Sequence, residues 1–112
     1  MARADHTARY ADMFAALGAE PRLRIIRLLI SAHPDGMVVG DIQTELQIPG
    51  STLSHHLEKL KNEDLVLVER DRQFLTYRAN HKILQALLGW LYAECCTRST
   101  LVNPKEIIKT CA

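Results

Sequence analysis

No cysteine occurs before residue 95 in this chain of 112 residues, and the three it has, Cys95, Cys96 and Cys111, all lie near its end. That distribution argues against a disulfide scaffold, because bridging two consecutive residues strains the bond and closes almost no loop. No apolar run reaches the roughly 18 to 20 residues of a bilayer span, and the start, MARADHTARY, lacks the apolar core of a secretory signal. The expectation is a cytoplasmic protein with no membrane partner, whose thiols stay reduced and available as ligands or redox groups. An excess of charge of one sign is also missing. Lys and Arg number 14 against 13 Asp and Glu, for a net charge of +1, so a nucleic-acid partner has to be argued from local pattern. There is no internal repeat, no low-complexity tract, no nucleophile, base and acid constellation and no phosphate-cradling loop, so an enzyme is not expected.

What is present has the composition of a globular protein, 47% apolar and 24% charged. The length suits one domain covering residues 1–112, small enough to gain stability from a partner subunit. Tyr10, Met13, Phe14 and Leu17 fall at i, i+3, i+4 and i+7, an apolar stripe on a first helix that Gly18 can close. Pro21 suits the first turn of a second helix, where Leu23, Ile25, Ile26, Leu28, Leu29 and Ile30 are too many for one face and mark a core element. His33, Pro34, Asp35 and Gly36 read as a turn, and Val39, Ile42 and Leu46 as a short third helix.

A break at residues 48–50 (IPG) then precedes a fourth helix, with Ser51 as its expected N-cap and Leu53, Leu57 and Leu60 as its buried face. Two short helices joined by a tight turn form a helix-turn-helix. Residues 65–70 (LVLVER) and 74–79 (FLTYRA) read as two strands joined through Asp71, Arg72 and Gln73. The expected fold is therefore mainly α with a small β-hairpin: a winged helix-turn-helix in the order α-α-α-α-β-β-α. A helix from about residue 81 follows, where Ile83, Leu84, Leu87, Leu88, Leu91 and Tyr92 make a broad stripe, widened by Ala86, Trp90 and Ala93. So wide a surface needs a second partner, and it is read as a homodimer seam shared with the first-helix stripe. Asn103, Pro104 and Glu106 suggest a short last helix at about 104–110 that carries Cys111 at its end.

On the fourth helix the direction opposite the leucines holds Ser51, Thr52, His55, Glu58, Lys59 and Asn62. Hydroxyls of Ser51, Thr52 and Ser54 sit at the helix start, where free amides and the positive helix end can hold phosphate, while His55 and Lys59 can reach base edges or backbone. His56 lies nearer the apolar flank, so a packed histidine and a DNA contact are both open. Arg70, Arg72 and Arg78 on the hairpin are placed to neutralise phosphates. Arg22, Arg24 and Arg27 can add backbone contacts or pair with Glu20 or Asp12.

Over residues 10–96 the chain resembles the ArsR/SmtB family of dimeric winged-helix metalloregulatory repressors. ALGAEPRLRIIRLL (16–29) is similar to the family's second-helix signature, GDIQTELQIPGSTLSHHLEKLKNEDLV (40–66) to its helix-turn-helix and ERDRQFLTYRAN (69–80) to its wing. The resemblance implies repression by occupancy of an operator in double-stranded DNA, an imperfect palindrome for a dimer, relieved when an inducer binds. It also implies DNA contact at Ser51, Thr52, Ser54, His55 and His56. The chain departs from the family in three places, the first two of which narrow the inducer. Val38, Val39, Gly40 and Asp41 contain none of the cysteines that arsenic and cadmium members carry there. His81 stands alone among apolar residues where zinc members place several ligands, and the wing tip lacks the usual glycine. The pair Cys95-Cys96 instead resembles arsenic-responsive members that bind their inducer with C-terminal cysteines.

Soft thiolates select thiophilic ions, and three sulfurs complete a pyramidal site for arsenite or antimonite. Neighbouring helical residues point about 100 degrees apart, so Cys95 and Cys96 can share one ion only if the helix end unwinds. Cys111 is either a third ligand or a tail residue. In the latter case two thiols remain, a set suited to methylarsenite. Three other readings stay open at this point: small buried residues at a helix end, a redox or persulfide switch of the same fold, and a winged-helix protein-interaction module that does not read DNA.

Overall fold

The structure is a computed structural model describing residues 6–93; Cys95, Cys96, Cys111 and the helix expected at 104–110 lie outside them. The chain divides into two units, the first ending at Asn80 and the second beginning at His81. In the first unit α1 (Thr7–Leu17) packs on α2 (Glu20–Ser31) and on α4 (Gly50–Asn62). Met13 and Ala16 are its buried residues, flanked by half-buried Tyr10, Phe14 and Leu17. Gly18 does cap the helix, yet at φ −74° it stays right-handed, and its amide donates to Ala15 O. Pro21 lies in the first turn of α2, whose Ile25, Ile26 and Leu29 are buried.

After α2 the chain turns at Gly36, where φ is +75° and an added Cβ would lie 2.5 Å from Tyr77 O. Glycine is required there on both counts. The turn delivers a strand that the sequence pattern does not announce, β1 (Met37–Val38), which runs directly into α3 (Val39–Leu46). Two residues are too few to show an alternating pattern, and β1 exists because Met37 pairs with Tyr77 and Val38 with Thr76 far along the chain. The sheet is antiparallel with order β1-β3-β2, where β2 is Val66–Asp71 and β3 is Phe74–Ala79.

The helix-turn-helix break is displaced by one residue from its expected place. Gln47 ends α3 in the left-handed region at φ 53°, and Pro49 occupies the N-cap of α4 with no side-chain cap, so Gly50 is already helical and Ser51 is not the cap. Proline suffices because its φ of −57° with ψ 145° aims the chain into the helix without a hydroxyl. At the wing tip Arg72 supplies the left-handed residue at φ 60° that a glycine would otherwise provide. Met13, Ile25, Leu29, Ile42, Leu53, Leu57, Leu60 and Leu65 are fully buried and form the centre of this unit.

The second unit contains α5 (His81–Leu91). Its Leu84 and Leu87 are buried in the single chain, Ile83, Leu88 and Tyr92 are half-buried, and Leu91 is 52% exposed. Met13, Leu84 and Leu87 of the expected seam are buried in the single chain. Of the residues assigned to the seam, Leu91 is the large apolar one left open. Among the described residues no helix is long and apolar enough to cross a membrane.

Candidate nucleic-acid interface

Leu53, Leu57 and Leu60 anchor α4 from below, and this fixes which of its side chains face outward. Ser51, Thr52, Ser54, His55, Glu58, Lys59 and Asn62 are all exposed, so the expected polar face is one surface. No acidic residue lies in the first turn, and Lys59 and Lys61 lie in the last, an arrangement that suits the helix dipole and keeps the N-terminal end electropositive. With Pro49 as an N-cap that makes no side-chain bond, the first amides of α4 stay open to an anion such as a DNA phosphate.

α3 adds residues that the sequence reading missed. Gly40, Gln43, Thr44, Gln47, Ile48 and Pro49 line an open hollow of about 670 Å³ beside the turn. The Gln43 side chain reaches the start of α4, its Oε1 3.6 Å from where a Gly50 Cβ would stand, and Thr44 donates to Gly40 O at 3.0 Å. In a helix-turn-helix the first helix crosses the DNA backbone, which makes these short polar side chains candidate phosphate contacts. The available signal was that they lie on the side of α3 away from buried Ile42.

His55 and His56 differ in surroundings, with ring centroids 6.0 Å apart. His55 is exposed, whereas His56 is half-buried and its Nδ1 lies 3.4 Å from an Arg22 guanidinium nitrogen. Burial first, then the charge of Arg22, then His55, hold the His56 imidazole below its ordinary pKa, so it favours the neutral form. Arg22 also donates from Nε to Ala16 O at 2.6 Å, and Arg24 pairs with Glu20 at 2.7 Å. Arg22 is thus held between helices and Arg24 pairs at the surface, while Arg27 is exposed.

On the wing the register separates the three arginines. Arg78 pairs opposite Leu67 and Arg70 opposite Leu75, so alternation puts Arg70 and Arg78 on opposite faces of the hairpin. Arg78 is held by Glu69 at 2.8 Å and donates to Pro34 O at 3.1 Å, which ties the hairpin to the turn before β1. Arg70 and Arg72 are exposed, with Arg72 at the tip. Phe74 beside that tip is 55% exposed. Tyr77 is buried on β3, and its phenol is pushed up first by burial and then by Glu58. Among the described residues no group of three or more His, Cys, Asp or Glu side chains is arranged to hold a metal ion.

Residues 14–69, which run from the end of α1 to the middle of β2, match the model of a helix-turn-helix domain family. The transcriptional repressor SdpR of Bacillus subtilis is 31% identical over 80 residues, spanning 71% of this chain and 86% of that protein. Among solved structures, an ArsR-like transcriptional regulator from Rhodococcus sp. RHA1 superposes with a TM-score of 0.67 at 27% identity, covering 95% of this chain and 94% of that one. The homodimeric winged helix-turn-helix DNA-binding domain of Mb0332 from Mycobacterium bovis does so with a TM-score of 0.63 at 27% identity, covering 92% and 100%. With its fold, its exposed fourth helix and these relatives in agreement, the chain belongs to the ArsR/SmtB family of winged helix-turn-helix transcriptional regulators.

Proposed function

We propose that the protein is a homodimeric repressor that occupies an imperfectly palindromic operator and leaves it when trivalent arsenic binds Cys95, Cys96 and Cys111. The observation that carries the DNA half is the outward face of α4, where an uncapped helix start, three hydroxyls, His55 and Lys59 form one exposed surface on the second helix of a helix-turn-helix. The homodimeric state of the Mb0332 domain supports a dimer here, as does the exposed Leu91 on α5. The inducer half is supported by the donor set: three thiols, all near one end of the chain, suit a thiophilic ion that takes three sulfurs. Dimeric helix-turn-helix proteins need their two reading helices about 34 to 36 Å apart, so a small change in the pairing of the protomers releases DNA. The ligand achieves this by binding the DNA-incompetent arrangement more tightly, with a coupling of ~1 to 3 kcal/mol.

The test is fluorescence anisotropy on the DNA upstream of the protein's own coding sequence, titrated separately with arsenite, antimonite, zinc, cadmium and peroxide. Release by arsenite and antimonite at concentrations where zinc and cadmium are inert is the expected result. Release by peroxide alone would replace the arsenic reading with a redox switch. Absence of binding to any DNA would replace both with a protein-interaction module.

A further inference from the structure

Arg22 sits in the first turn of α2 and reaches two other helices at once. Its Nε donates to Ala16 O, a carbonyl in the last turn of α1, at 2.6 Å, and its terminal nitrogen meets His56 Nδ1 on α4 at 3.4 Å. An arginine has five donors and no acceptor, so this second contact is attractive only if Nδ1 offers a lone pair. We infer that Arg22 is a positioning residue for the DNA-facing helix: it fixes the His56 ring as the tautomer protonated on Nε2, so that position 56 presents an uncharged N–H donor. The consequence for DNA affinity rests on the reading of α4 as the DNA-contacting helix; the tautomer does not.

The surroundings support this assignment. His56 is half-buried against Arg22 of α2, with His55 its neighbour on α4, and all three influences on its titration favour the neutral ring. Charged groups beside Arg22 include Asp12 from α1, Lys59 from α4 and Glu63 just after α4. These line a cleft of about 310 Å³ together with Arg22, Ala15, Ala16 and Asn62. Protonation of Nδ1 turns the acceptor into a donor and sets imidazolium against guanidinium. Arg22 then has Asp12 and Glu63 within the same cleft as alternative partners, and the tie between α2 and α4 is lost. Sequence alone could not show this device, because the two residues are 34 positions apart.

The experiment follows the ring itself. Two-bond proton–nitrogen correlation spectra of the full-length protein, recorded between pH 5 and 8 for the natural sequence, Arg22→Ala and Arg22→Lys, report the His56 tautomer and its titration midpoint. The natural protein is expected to show the Nε2-protonated ring at neutral pH and a midpoint below 6.5, the ordinary histidine value. Arg22→Ala should mix the tautomers and raise the midpoint, and Arg22→Lys, which keeps the charge but not the fork, should fall between. DNA affinity in the same series should drop by about tenfold in Arg22→Ala at pH 7, and in the natural protein as pH falls through the His56 midpoint. An identical tautomer mixture and midpoint with and without Arg22 would overturn the inference. If the spectra change as expected while a DNA-binding natural protein and Arg22→Ala bind equally well, the positioning role is overturned. If the natural protein binds no DNA, the proposed function fails, and the spectra still decide the tautomer.

Discussion

Side chains that are neighbours in sequence do different work on α4. His55 is exposed on the face opposite Leu53, Leu57 and Leu60 and Ser54 is exposed on its flank, so truncating either leaves the core untouched. His55→Ala and Ser54→Ala are each expected to weaken operator binding by ~1 to 3 kcal/mol for a base-edge contact, with melting temperature unchanged. Arg72→Ala, at the wing tip, should instead lower the slope of affinity against salt by about one, the signature of a lost phosphate contact. Anisotropy titrations at several salt concentrations separate the two, and unchanged affinity in all three variants would move the DNA surface elsewhere. His56 makes a different prediction, about stability and pH. Its folded-state pKa is lowered below the 6.5 of the unfolded chain, so the unfolded state binds the proton more readily. Stability is then complete above about pH 6.5 and is lost as pH falls from there through the folded-state value. Urea midpoints should therefore drop between pH 7 and pH 5, and less so in His56→Gln; an equal drop in both would remove His56 as the cause. The outward polar face of α4 was legible from spacing alone, because the helical period fixes it once the leucines are placed. The neutral state of His56 was not, since it depends on Arg22 from another helix.

At the scale of elements, helices whose apolar residues recur with the helical period were legible, and so was the hairpin, although its first strand is Val66–Asp71 and Asp71 pairs with Phe74, which leaves Arg72 and Gln73 as the connection. What sequence did not show depends on backbone conformation or on distant pairing. The left-handed residues Gln47 and Arg72 carry no glycine signature, and β1 is two residues that become a strand only by joining β3. Ser51 followed the usual preference for a hydroxyl at a helix start, but Pro49 stands in the cap position and the hydroxyl is left exposed for another use. The join between β1 and β3 is where one glycine matters. Gly36→Ala places a methyl 2.5 Å from Tyr77 O in a left-handed conformation, which costs ~1 to 2 kcal/mol for the backbone alone and a further ~1 to 3 kcal/mol for the overlap. Gly40→Ala is the matched control. It lies inside α3 with nothing within 4 Å of the new methyl, and replacing a helical glycine by alanine should be neutral or stabilising by up to ~1 kcal/mol. Thermal melts followed by circular dichroism should move in opposite directions, or at least differ sharply. A Gly36→Ala protein as stable as the natural one would mean that the turn relaxes freely and that the wing is not held there.

At the scale of the whole molecule, the proposed dimer and its proposed release from DNA each make a prediction. The broad stripe on α5 was legible, but its buried members could not be told from its open ones by sequence, because period alone does not say which neighbour covers them. Since Leu87 is 1% exposed and Leu91 is 52% exposed, Leu91→Glu is the variant that tests the partner surface without opening the core. It should yield a folded protein that sediments as a monomer and binds operator weakly. A Leu91→Glu dimer with full affinity would place the seam elsewhere. The cysteines carry the last prediction, which rests on the proposal that the chain's three thiols hold the inducer. Cys95→Ser and Cys96→Ser are each expected to fold and bind operator as the natural protein does, yet to remain bound when arsenite is added, because the inducer needs the sulfurs and the winged helix does not. Cys111→Ser separates two forms of the site. If it supplies the third sulfur, its loss should weaken release by arsenite while largely sparing release by methylarsenite, which needs two. If it supplies none, both responses stay as they were and the inducer is held by the pair. Release of the double variant Cys95→Ser/Cys96→Ser by arsenite would show that these thiols are not the sensor.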